Sequence, residues 1–124
     1  MADSRSDRRK DVRASARLPV ELSAKGDEVL AVSSLNIGAG GVYVEVPRFI
    51  EPLTKLSLSM MIPGPTPDEE PALVETEAIV VRVLPEHPDP SIAYYEVACA
   101  FLQLSDESRD IVNRYILTHR AVVT

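Results

Sequence analysis

The sequence predicts a mainly β protein: a six-stranded antiparallel β-barrel followed by one C-terminal α-helix. Three observations lead there. Between residues 18 and 104, short runs carry apolar residues at every second position, the period of half-buried strands. Turns rich in Gly, Pro, Asn and Asp separate these runs, and no helical stretch lies between them to build a parallel βαβ sheet. From Ser105 the apolar period becomes that of a helix. Six short antiparallel strands most naturally remove their open edges by closing into a barrel, with the helix over one opening or side.

The elements follow in order. LPVELS (Leu18–Ser23) reads as the first strand, and AKGD (Ala24–Asp27) as a hairpin turn around Gly26. EVLAVSSLN (Glu28–Asn36) is the second strand. After the glycine-dense turn comes GVYVEV (Gly41–Val46), with Val42, Val44 and Val46 on one face and Tyr43 and Glu45 on the other. TKLSLSMMI (Thr54–Ile62) sets Leu56, Leu58 and Met60 against Ser57 and Ser59. PGPTPDEEP (Pro63–Pro71) is a rigid acidic loop, because its prolines can continue neither a helix nor a central strand. ALVETEAIVVRVL (Ala72–Leu84) is a long strand rich in β-branched residues. PEHPDP turns the chain, and SIAYYEVACAFLQL (Ser91–Leu104) is the sixth strand. In SDESRDIVNRYILTHR, Ser105 suits an N-cap, Asp106 and Glu107 face the helix dipole, and Ile111, Val112, Tyr115 and Ile116 share a face. His119 and Arg120 lie at the end where positive charge is favoured.

The 124 residues suit a single domain: a basic, flexible N-terminal arm over 1–17 and a barrel-plus-helix body over 18–124. The arm carries Arg5, Arg8, Arg9, Lys10, Arg13 and Arg17 against three aspartates, a net +3, while the body holds 7 basic and 16 acidic residues, a net −9. Such an acidic body argues against broad binding to DNA or RNA. No apolar run reaches the roughly 18 residues of a membrane helix, so membrane insertion is not expected. The polar start MADSRSDRRKD has no signal-like core, and the single cysteine, Cys99, cannot form an internal disulfide. Together these point to a cytoplasmic chain.

Enzyme chemistry has little to stand on. His87 lies in a proline loop and His119 in the terminal helix, and no HxxE, HxxxH or CxxC spacing suggests a metal. Cys99 lies within a strand on the same face as Val97 and Phe101 and reads as a buried structural thiol. Nothing assembles a nucleophile, a base and an oxyanion site, so the chain is read as a non-enzyme without cofactor. The turn NIGAGG (Asn36–Gly41) is not a dinucleotide fingerprint either. A G-x-G-x-x-G pattern begun at Gly38 and Gly40 would need its last glycine at Tyr43, and a strand follows the turn where a phosphate-binding helix would have to start.

Two features remain. Arg9 and Arg13 stand four apart just before the first strand, and the Asn-Gly turn ends the second. A hairpin around Gly26 would bring them together. Arginine grips phosphate in a bidentate fork, pairs with guanine O6 and N7, and stacks on bases. Asn36 offers a donor and an acceptor, and glycines permit positive φ and close backbone approach. A small guanine-containing anion would use all of these groups. A solvated basic tail beside an ordinary glycine turn accounts for the same residues, and chemistry alone leaves both readings open.

Over residues 8–118 the chain resembles the PilZ domain, the bacterial receptor module for cyclic di-GMP. That family's pattern is RxxxR followed by D/N-x-S-x-x-G. Arg9 and Arg13 match the first motif, and Asn36 and Gly41 match the ends of the second. DRRKDVRASARLPVEL and ACAFLQLSDESRDIVNRYI resemble the family's approach to its first strand and its closing strand and helix. The resemblance implies a six-stranded barrel and two arm arginines that clamp the guanines and phosphates of cyclic di-GMP. It further implies that Asn36 reads a guanine edge, Gly41 keeps the turn tight, and a downstream protein partner reads the changed surface.

The chain departs from the pattern at two places. Gly38 stands where the family has serine, and Ala98 near where it often has glycine. Losing one neutral hydrogen bond costs roughly 0.5–1.5 kcal/mol, about two- to twelve-fold in affinity. The ligand-binding set expected is Arg9, Arg13, Asn36, Gly38 and Gly41. The alternative is a degenerate adaptor that binds a protein, with Pro63–Pro71 as a possible docking surface, and no nucleotide.

Overall fold

A computed structural model describes residues 13–119. Arg9, most of the expected arm and Arg120 lie outside the described residues.

Seven strands and one helix make up the fold: β1 (Arg13–Ser15), β2 (Pro19–Ala24), β3 (Leu30–Gly38), β4 (Gly41–Val46), β5 (Lys55–Ile62), β6 (Ala72–Leu84), β7 (Tyr95–Phe101) and α1 (Asp106–His119). All pairings are antiparallel. The strands run β3-β2-β5-β6-β7-β4, and β4 pairs back on β3, so six staves close the barrel. The expected mainly β fold, with its closed six-stranded antiparallel barrel and C-terminal helix, is therefore observed. Short β1 adds no seventh stave, because β1 and β2 lie end to end along the same edge of β3, with Ser15 opposite Asn36 and Pro19 opposite Ser33.

Among the described residues the strand structure already includes Arg13–Ser15, ahead of the Leu18 start expected from sequence. From Arg13 to Leu22 the chain alternates outward and inward without a break, and Ala14, Ala16, Leu18, Val20 and Leu22 are all buried. The gap between β1 and β2 is sewn shut by Ser34. Its Oγ accepts from the Leu18 N–H (2.8 Å) and donates to the Ala16 carbonyl, while its own N–H donates to the Leu18 carbonyl (2.9 Å). Ser34 is fully buried, so this satisfaction is what makes a polar residue tolerable there.

The core is the inward face of every strand. Val42, Val44 and Val46 of β4 and Leu56, Leu58, Met60 and Ile62 of β5 are buried as the alternation predicts. Gly26 has φ +85°, and the Asp27 N–H donates to the Ala24 carbonyl, so AKGD is a turn with glycine where positive φ is needed. The last strand begins at Tyr95, not Ser91, because Asp89 organises 89–95 into a turn: its carboxylate accepts from the N–H and Oγ of Ser91, and its backbone bonds the Tyr95 hydroxyl. Those bonds from Ser91 hold the Asp89 carboxyl below its usual range.

Helix α1 starts as expected, with the Ser108 N–H bonded to Ser105 Oγ (3.1 Å). It buries Val112, Tyr115 and Ile116 and packs against β1, β3, β5 and β6. Each such side chain contributes up to about 1.5–3 kcal/mol. His119 closes the helix, stacked on Tyr115 at 4.1 Å, with Nδ1 3.1 Å from the Tyr115 carbonyl. The acidic proline loop lies beside this end of α1: Pro63, Glu69 and Glu70 share a cleft with Arg114 and His119.

Candidate functional site

The alternation of β1 puts Arg13 on the barrel's outer face, opposite Gly38 of β3. Its Nε donates to Asn36 Oδ1 at 2.6 Å, and its Nη2 donates to the Gly41 carbonyl at 3.1 Å. Its guanidinium carbon lies 5.5 Å from the centre of the Tyr43 ring, within cation–π range. Three strands thus contribute to one half-buried cluster. The hairpin around Gly26 brings Arg13 and Asn36 together as expected.

Asn36 reaches that face only through a β-bulge. Ser34 pairs with Val44 and Asn36 with Tyr43, so Leu35 is the extra residue. Under strict alternation Asn36 would follow Ser34 into the core. The bulge turns it outward and lets Ile37 fill the interior. Since Oδ1 is held by Arg13, the amide Nδ2 is the donor that Asn36 presents, and it has no hydrogen-bond partner among the described residues.

Gly41 plays a different part from the one expected of it. A Cβ at this position would sit 2.1 Å from the Cys99 carbonyl oxygen and 3.2 Å from Ala100 Cα. The need for glycine comes from the close approach of β7, more than from the tightness of the turn. Gly38 is buried opposite Arg13 and brings no hydroxyl to the cluster. Of the five expected site residues, Arg13, Asn36, Gly38 and Gly41 lie together at this end of β3 and β4, and Arg9 is outside the described residues.

Two residues join the site that sequence reasoning did not assign to it. Tyr43 was placed only as an outward strand position, and its role under Arg13 depends on the β3–β4 register. Arg17 continues the four-residue arginine spacing and bonds Glu45 at 3.1 Å. This pair is exposed and ties the approach to β2 onto β4 with at most about 1 kcal/mol. The spacing Arg9, Arg13, Arg17 was the available signal for it.

Other chemistry is sparse. Burial pushes the Cys99 thiol up to about 12, which makes it a poor nucleophile near neutral pH. Among the described residues no cluster of three potential ligands could hold a metal, and no helix is long and apolar enough to cross a membrane.

Comparison with known proteins converges on one family. The PilZ domain model matches residues 7–118. No curated protein matches the chain. Among solved structures, the chain is similar to the Bacillus subtilis inhibitor of motility MotI/DgrA (TM-score 0.72, 24% identity, covering 87% of this chain and 49% of that one). It is also similar to the PilZ domain of YcgR from Escherichia coli with c-di-GMP (0.67, 12%, 90% and 91%) and to the K. pneumonia MrkH–c-di-GMP complex (0.61, 16%, 87% and 49%). The chain spans about half the length of MotI/DgrA and MrkH. At these identities the likeness is one of fold.

Proposed function

This chain belongs to the PilZ domain family, and on that premise we propose that it is a cyclic di-GMP effector. Arg9 and Arg13 close on the nucleotide, and a protein partner reads the altered surface. The family is one of cyclic di-GMP receptors, and similar folds have been solved with that ligand. The observation that carries the reading is the meeting of Arg13, Asn36 and the Gly41 carbonyl on one outer face, from positions 23 and 28 residues apart. A guanidinium oriented by two acceptors, beside an outward amide donor, suits phosphate and the acceptor edge of guanine. It is also partly pre-organised, which lowers the ordering cost of binding.

The test is isothermal titration of cyclic di-GMP into the protein and into an Arg9→Ala/Arg13→Ala double variant. Saturable binding that the double variant loses is the expected result. No heat and no competition at high micromolar nucleotide would overturn the reading. A second reading, a PilZ-fold adaptor that holds a protein and no nucleotide, draws on Gly38, which supplies no hydroxyl where the family motif has serine. It gains if titration fails and partner capture proceeds unchanged in the double variant.

A further inference from the structure

Resting on the reading of this face as a cyclic di-GMP site, we infer that Arg82 of β6 is a further cationic contact, beyond the arm arginines, closing the far end of the nucleotide site. Asn36 pairs with Tyr43, Tyr43 with Ala98, and Ala98 with Arg82. These four residues form one outward row across β3, β4, β7 and β6. Adjacent strands lie about 4.8 Å apart, so the row spans about 14 Å from backbone to backbone, the scale of a dinucleotide. Arg13 leans over the Tyr43 ring from one side, and Arg82 rises from the other end.

A second bulge puts Arg82 there. Val80 pairs with Cys99 and Arg82 with Ala98, so Val81 is the extra residue in β6. Without it, Arg82 would follow inward Val80 by two and point into the barrel. With it, Val81 and Arg82 both face solvent and Val83 is buried in the place Arg82 would have taken. The two bulges are matched: Leu35 precedes Asn36 at one end of the row, and Val81 precedes Arg82 at the other. Each converts an alternation that would bury a polar side chain into one that presents it on the same face.

The charge pattern singles out the same residue. Among the described strands of the acidic body, the cations are Lys55 and Arg82. Lys55 is paired with Glu77 at 3.4 Å, whereas Arg82 has no hydrogen bond or ion pair among the described residues. A guanidinium held outward by a bulge, with a flat row leading to a second guanidinium, suits a ligand with two separated phosphates. Ala98 sets the floor between them with a single methyl group.

The experiment titrates cyclic di-GMP into the full chain, Arg82→Gln, the Arg9→Ala/Arg13→Ala variant and a Lys25→Ala control in the remote β2–β3 turn. Urea unfolding of each variant is measured alongside. The expected result is affinity about tenfold or more weaker in Arg82→Gln, since a charge-assisted contact is lost, with unchanged unfolding and an unaffected control. Affinity within twofold of the parent, while the double arginine variant loses binding, would overturn this inference and leave the proposed function standing. No binding by the parent chain would overturn both.

Discussion

Replacing Ser34 with alanine is expected to loosen the attachment of β1 and so dismantle the candidate site from a distance. Ser34 is 0% exposed, and its Oγ serves two backbone groups at the gap between β1 and β2: the Leu18 N–H and the Ala16 carbonyl. Alanine removes both partners at once. Each buried polar group left unsatisfied costs about 1–3 kcal/mol, so the loss for the two groups is about 2–6 kcal/mol. With a urea m-value near 1.5 kcal/mol/M, a 3 kcal/mol loss lowers the midpoint by about 2 M. Far-UV circular dichroism followed through urea titrations of both proteins measures it. Arg13 stands three residues before Ala16, so nucleotide affinity should fall as well, although Ser34 itself faces the core. A midpoint shift under about 0.5 M would refute the reasoning, because it would mean the gap holds together without the hydroxyl.

Three further outcomes are expected. Gly41→Ala places a methyl group 2.1 Å from the Cys99 carbonyl, a backbone atom that cannot swing aside. Overpacking of this kind costs about 1–3 kcal/mol or more and shifts the carbonyl that Arg13 grips, so thermal unfolding and nucleotide titration should both register it. Gly38→Ser should strengthen cyclic di-GMP binding by about two- to twelve-fold if the restored hydroxyl meets the nucleotide, whereas equal titration curves would separate the hydroxyl from the ligand. Cys99 should resist a thiol-specific chromogenic reagent in the folded protein and react at once in urea. Its pKa rises from 9.0 to about 12 on folding, so the folded state keeps a neutral thiol while the unfolded chain ionises. Stability from this source is intact below pH 9 and declines above it by about 1.4 kcal/mol per pH unit until pH approaches 12. Cys99→Ala should remove that alkaline slope.

Much of the fold was legible because its signals are local. Alternation in GVYVEV and KLSLSMMI follows from side chains on opposite faces of a pleat, and both runs bury the valines, leucines and methionine that the pattern marks. The Gly26 turn, the Ser105 cap and the apolar face of the helix rest on the chemistry of a few neighbouring residues. The stretch from Arg13 to Arg17 carries the same alternation, but its inward residues are Ala14 and Ala16. Alanine is a weak strand former, and the charges around it favoured an unstructured reading.

Sequence by itself determined the six staves of the barrel, the inward residues wherever alternation runs unbroken, the terminal helix and the motif residues Arg13, Asn36 and Gly41, because period, turn chemistry and residue type are written along the chain. Tertiary structure alone decided which face Asn36 and Arg82 occupy. Counting by twos sends both inward, and only pairing with β4 and β7 shows that Leu35 and Val81 are extra residues that turn them out. It alone decided why Gly41 is glycine, since the carbonyl that excludes a Cβ belongs to Cys99, 58 positions along the chain. A bulge and a close backbone approach are properties of two strands held together, and neither strand carries them alone.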